Sequence, residues 1–168
     1  MKFGINLYGV LKDRKDTFEA LKALRALGYS HVEPCVAPEG IPGWEQVFWS
    51  AAWLEAHIAQ IRDMGFEVSS AHLIGWDAAT QREPLRAMAQ RCGLRQLVVK
   101  SPQELTETSL HHAALAFMML ADALEDAGAE LLIHNEQADI ETRVAGRSAY
   151  EHLLALCLGK VGAQVDAG

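Results

Sequence analysis

The sequence has no apolar run near the roughly 18 residues that a membrane-spanning helix needs. Its longest apolar stretches are short, such as Ala113 to Ala121. Basic residues are also in deficit: 15 Lys and Arg face 22 Asp and Glu, for a formal net charge of −7. That balance argues against a nucleic-acid binder, which needs a basic face. The N-terminus, MKFGINLYGV, turns charged at Lys12 without a signal-peptide core or a small-residue cleavage site. Cysteines number three, and Cys35, Cys92 and Cys157 form no CxxC pair, so neither a zinc knuckle nor a disulfide framework is indicated. Each reads as a small buried apolar residue. No GxGxxG or GxxxxGK[ST] phosphate loop follows the first apolar run. These absences lead to the expectation of a cytoplasmic protein with no membrane and no nucleic-acid partner.

What is present is a rhythm. A helical stretch ends in glycine and a short apolar run follows, at Gly28, Gly65, Gly93, Gly128 and Gly159. A βα unit takes roughly 30 residues, and these glycines recur at 28 to 37. Glycine after the last helical turn takes the left-handed conformation without a Cβ clash. The runs after it, such as Leu97-Val98-Val99 and Leu131-Leu132-Ile133, do not alternate, which marks strands covered on both faces of a parallel sheet.

The spacing predicts strands at Lys2–Leu7, His31–Cys35, Glu67–His72, Gln96–Lys100, Glu130–His134 and Gln164–Asp166. Helices are predicted near residues 16–27, 44–64, 80–92, 109–127 and 147–158, and a loop at Val36 to Gly43. Apolar stripes are expected on Phe18, Ala20, Leu21, Leu24 and Leu27, and on Leu115, Met118, Met119, Ala121 and Leu124, the Met pair filling core. Trp44, Trp49 and Trp53 read as packing residues on one helix, with Trp44 and Trp76 near strand-end loops. Alternating β and α with buried strands leaves two architectures, an open doubly wound sheet and a closed eight-stranded barrel. Length favours the first; the missing phosphate loop favours the second.

In either architecture ligands bind at the carboxyl ends of the strands. There stand Asn6 and Tyr8, Glu33, His72, Lys100, His134-Asn135-Glu136 and Asp166. A buried Glu33 needs a cation or a hydrogen-bond donor. Imidazole and carboxylate at neighbouring strand ends suit a divalent cation such as Mn²⁺, Mg²⁺, Co²⁺ or Zn²⁺. Such a cation would polarise a carbonyl or hydroxyl oxygen while a carboxylate removes a proton from the adjacent carbon. His31, His57, His152 and the pair His111-His112 read as surface or helix-edge residues.

The ordered set MKFGINLY, ALRALGYSHVE, GFEVSSAHL, LADALEDAGAELLIHNE and GAQVDAG resembles the sugar phosphate isomerase/epimerase superfamily, whose fold is the xylose isomerase-like TIM barrel. The resemblance runs along almost the whole chain. It implies an α/β fold of parallel (β/α) repeats, TIM-barrel type and incomplete, with about six of eight units in one partial barrel domain over residues 1–168. It further implies a metal-dependent isomerase or epimerase of small sugars, sugar phosphates or polyols, working by carboxylate-mediated proton transfer.

Family members hold a metal with a Glu, an Asp, a His and a Glu after strands five to eight. Asp166 matches the Asp; the first ligand falls among His134, Glu136 and Glu141. The metal set implied is His134, Glu136 and Asp166. Glu136 and Glu141 carry the proton, and Glu33, His72, Lys100 and Asn135 contact substrate. The family's last two ligands have no counterpart before Gly168. A barrel truncated after strand six is therefore expected, with a homodimer covering its open side. The alternatives are a dehydratase of the same family, a non-catalytic remnant or ligand-binding α/β domain, and a complete flavodoxin-like domain. An abasic-site endonuclease shares the fold, but the negative charge argues against it.

Overall fold

A computed structural model describes residues 4–13 and 16–166 of the 168-residue chain. All five helix-ending glycines take positive φ, between 59° and 92°. At Gly65 the requirement is double: φ is +88°, and a Cβ there would lie 2.9 Å from Arg25 Nε. The chain divides into two compact units, one running to Trp76 and taking in Gln90–Arg95, the other holding Asp77–Ala89 and the chain from Gln96 onward.

In the first unit β1 (Gly4–Asn6) pairs in parallel with β2 (His31–Glu33), placing Asn6 opposite Glu33. The first two residues of the strand expected from Lys2 lie outside the described residues. A one-turn helix, α1 (Tyr8–Leu11), follows, and α2 (Thr17–Ala26) is capped by Asp16, whose carboxylate accepts from the Phe18 and Glu19 amides. Ala20, Leu21 and Leu24 of α2 are buried, but Leu27, expected on the same stripe, sits on the C-cap and is 76% exposed. The expected strand from His31 to Cys35 is interrupted. Pro34 has no N–H to give the ladder, and β3 (Cys35–Ala37) begins after it. So the expected loop from Val36 starts two residues late.

Strand β3 is wholly buried and lies in parallel between β4 (Phe48–Ser50) and β5 (Ser70–Leu73). Strand β4 corrects the helix expected from residue 44. Phe48-Trp49-Ser50 is extended, and the helix, α3 (Ala51–Asp63), starts only where Ser50 caps the Trp53 amide. An aromatic pair beside a sheet pairs with it sooner than it coils. Trp49 is thus a strand residue, 1% exposed, against Trp53 of α3 at 4.5 Å between ring centroids.

In the second unit β6 (Gln96–Lys100), β7 (Glu130–His134) and β10 (Gly162–Gln164) form a parallel ladder with β7 in the middle. Leu97, Val98, Leu131 and Ile133 are buried, as strands covered on both faces require. Register sets Lys100 beside His134 and His134 beside Gln164. Strand β10 ends at Gln164, two residues short of the expected Asp166. Gly162 lies against Leu132, and a Cβ at Gly162 would be 2.6 Å from Leu132 Cδ2.

The helices of this unit are α4 (Arg82–Cys92, whose last residues belong to the first unit), α5 (Glu107–Glu125), α6 (Gln137–Glu141) and α7 (Ala149–Leu156). A small antiparallel hairpin, β8 (Arg143–Val144) with β9 (Arg147–Ser148), precedes α7. On α5 the buried stripe is Leu110, Ala114, Phe117, Leu120 and Leu124. Leu115 and Met119, expected inside, are 57% and 51% exposed. Leu124 is buried as expected, but the rest of the expected stripe is offset by about one residue, a turn of roughly 100° on a helix. Met119 instead accepts from Arg82 Nη1 through its sulfur at 3.4 Å. No helix among the described residues is long and apolar enough to cross a membrane.

All three cysteines are free and buried. Burial pushes the Cys92 thiol up to about 11, with the Glu55 carboxylate adding to it, and burial alone does the same for Cys157. Near pH 8 the thiolate fraction at such a pKa is about 10⁻³, and the thiolate is the nucleophile. Iodoacetamide is therefore expected to alkylate both at least about 100-fold more slowly in the native protein than in urea. Equal rates, read by mass spectrometry of the peptides, would contradict the packing described.

Candidate functional site

Two groups of polar side chains stand at strand ends, one in each unit. In the first unit Glu33 closes β2 with its side chain 14% exposed. Asn6, its register partner, donates from Nδ2 to Glu33 Oε1 at 2.8 Å, the donor that a buried carboxylate requires. The other amide atom, Asn6 Oδ1, accepts from the Tyr8 amide at 2.9 Å and from Cys35 Sγ at 3.7 Å. His72 of β5, buried, places Nδ1 3.9 Å from Glu33 Oε1. The structure therefore brings Asn6, Glu33 and His72 together. Trp76 is held by its indole N–H on the Val36 carbonyl at 2.9 Å, and Trp44 is exposed against Phe48.

The second group is built on β6, β7 and β10. His134 ends β7 with its side chain 15% exposed. Its Nδ1 donates to Gln164 Oε1 at 3.2 Å. Nε2 lies 3.8 Å from Asp166 Oδ2, too far for a hydrogen bond. Two ligands on one ion at about 2.1 Å each are roughly 3 to 4.2 Å apart, so this gap suits a shared divalent cation.

Asn135 fixes the chain at Asp166 by two bonds: Nδ2 donates to the Asp166 carbonyl at 3.0 Å, and the Asp166 amide donates to Oδ1 at 2.8 Å. Tyr150 of α7 ties the same two strands from behind, its hydroxyl 2.9 Å from the Ile133 carbonyl and 3.5 Å from that of Gln164. Its phenol is pushed up by burial and then by the Asp139 carboxylate, so it holds its proton and donates at neutral pH.

Glu136, the N-cap of α6, turns its carboxylate to the Lys100 ammonium, both side chains about half exposed. Register explains the meeting, because Lys100 stands beside His134 and Glu136 follows two residues on. Thus His134, Asn135 and Asp166 are joined by contacts, and Lys100 and Glu136 form a pair at the ends of the same strands. Glu141 is not brought to them. It ends α6, exposed, with its carboxylate accepting from Gln137 Nε2 at 2.6 Å. Gln164 was not singled out from sequence, although it stands two residues before Asp166.

No protein-family profile matches the sequence, and no curated protein sequence does. Solved structures do match. A sugar phosphate isomerase/epimerase from Parabacteroides distasonis ATCC 8503 aligns with 98% of this chain and 67% of its own, at 17% identity and TM-score 0.74. A D-psicose 3-epimerase, solved in the presence of D-fructose, aligns with 98% of this chain and 62% of its own, at 16% identity and TM-score 0.62. A xylose isomerase-like TIM barrel protein from Mycobacterium smegmatis, in complex with magnesium, aligns with 99% of this chain and 63% of its own, at 17% identity and TM-score 0.56. The fold is thus α/β, of parallel (β/α) repeats. It is the xylose isomerase-like TIM-barrel fold, over about two thirds or less of the length of these barrels.

Proposed function

We propose that the second unit's strand ends form the metal-dependent proton-transfer site of an isomerase or epimerase of small sugars or sugar phosphates. The observation that carries this reading is the His134 Nε2 to Asp166 Oδ2 gap of 3.8 Å, with the imidazole held on its other nitrogen by Gln164. His134 and Asp166 would hold a divalent ion, and Glu136 stands two residues beyond His134, paired with Lys100. An ion held there would supply polarisation of a sugar carbonyl, which would acidify the neighbouring C–H. Lys100 donates to a sugar oxygen or phosphate. In doing so it would release the Glu136 carboxylate, which takes the proton from the adjacent carbon, while return of a proton to the opposite face requires a second acid there. Asn135 keeps Asp166 in place. Glu141, bonded within its own helix, takes no part in this scheme. The kinship of fold with a sugar phosphate isomerase/epimerase and a D-psicose 3-epimerase supports the substrate class.

The test is solvent exchange. The chain is incubated in D₂O with Mn²⁺ and a panel of ketoses and ketose phosphates, and deuterium at the carbon next to the carbonyl is followed by NMR. Exchange is expected, and it should fall by about 10² to 10⁴ in Glu136→Gln, the usual contribution of a positioned base. Mn²⁺ binding without exchange of any ketose would overturn the catalytic reading and leave a ligand-binding domain. Loss of water from the sugar instead of epimerisation would assign a dehydratase.

A further inference from the structure

Away from the strand ends, the outer helices of the second unit gather a different set of donors. Glu107 opens α5 directly after its N-cap Thr106, and His111 follows four residues later, on the same face one turn along. His152 comes from α7, and its ring meets that of His111 edge-on, with centroids 6.0 Å apart and planes at 67°. One ligand atom from each of Glu107, His111 and His152 lies within 4.8 Å of the other two.

Three further features point to a ligand. First, His111 Nδ1 donates to the Glu107 carbonyl at 2.8 Å, so its proton is fixed there and the Nε2 lone pair faces outward. A backbone carbonyl on the far nitrogen is the usual support of a metal-bound imidazole. Second, His152 Nε2 is fully buried and has no hydrogen-bond partner among the described residues, although buried polar atoms are normally satisfied. Third, Glu107 and His111 are exposed and free to close on an ion, while His152 is held in the packed face between helices. Sequence alone placed His111 and His152 as unremarkable surface residues. The separation of 41 residues between them hides a contact that only the packing of α5 on α7 makes.

We propose that Glu107, His111 and His152 bind one zinc-class transition-metal ion, clipping the first turn of α5 to α7. Two imidazoles and one carboxylate suit Zn²⁺, which takes three protein ligands and a water, whereas Mg²⁺ and Ca²⁺ prefer oxygen donors alone. None of the three residues belongs to the strand-end group, so this site stands or falls independently of the proposed chemistry there.

The experiment uses the full chain carrying His134→Ala and Asp166→Ala, so that the strand-end group cannot bind. Zn²⁺ is titrated against a chromophoric chelator, with Mg²⁺ in excess. The expected result is one Zn²⁺ equivalent that Mg²⁺ does not displace, with a rise in melting temperature on binding. Adding His111→Ala should weaken that binding at least about 100-fold and abolish the rise. Because His111 is exposed, circular dichroism should remain unchanged in that variant. Co²⁺ gives a second readout: visible d–d bands present in the parent and lost with His152→Gln. The absence of a Zn²⁺ equivalent in the parent, or equal affinity in parent and His111→Ala, would overturn the assignment.

Discussion

Trp49→Ala is expected to cost about 3 to 5 kcal/mol of folding stability, the usual cost of emptying a buried aromatic site. The side chain is 1% exposed and stands on β4 beside Val36 of the buried strand β3. Its ring packs on Trp53, and its indole N–H donates to the Gln46 carbonyl at 3.2 Å. Trp53, the ring packed against it, is itself held by a stack on His57 at 4.2 Å between centroids and so is not free to refill the space. Whole domains of this size are stable by about 5 to 15 kcal/mol, so the loss is a large share of the total. Trp44→Ala, at an exposed ring, is expected to cost less than about 1 kcal/mol. Urea unfolding of the two variants measures the contrast, and equal losses would mean that Trp49 is not the anchor described.

The second large effect concerns the cation. In the proposed site Asp166→Ala and His134→Ala should each weaken Mn²⁺ binding at least about 100-fold, because each removes one of two facing ligand atoms. Asn135→Ala should weaken it by about 10-fold, since that side chain orients Asp166 without binding the ion. Lys100→Met should act in the opposite direction. It deletes a positive charge next to Glu136, and like charges near an ion oppose its binding. Glu141→Ala should leave affinity unchanged. Calorimetric titration of Mn²⁺ gives all five values. An unaltered affinity in Asp166→Ala would remove the site from these strand ends.

Much of this was legible in the sequence, for reasons that particular residues make plain. Gly28, Gly65, Gly93, Gly128 and Gly159 all adopt the left-handed conformation, because a helix end followed by a strand requires it locally. The strands Gln96–Lys100 and Glu130–His134 match to the residue, since an unbroken apolar run between glycine and polar cap has few alternatives. Glu33 was expected to need a donor, and Asn6 is that donor.

What failed depends on partners distant in the chain. Trp49 reads as helical until β3 is known to lie beside it. The buried face of α5 is decided by what it packs against, and Leu115 and Met119 could have lain on either side by composition. Lys100 meets Glu136 only through the register of β6 on β7, which a separation of 36 residues in sequence conceals.

The absence of a side chain at Gly162 leaves the last strand resting on a methyl group rather than on backbone. A methyl added at 162 collides with Leu132 Cδ2, and that methyl can itself be trimmed. The two positions therefore act as a shim: Gly162→Ala with Leu132→Val would shift β10 by fractions of an ångström while keeping its ladder. Gln164 and Asp166 ride on the end of that strand. The spacing between His134 and Asp166 is thus adjustable from a position that takes no part in the proposed ion site.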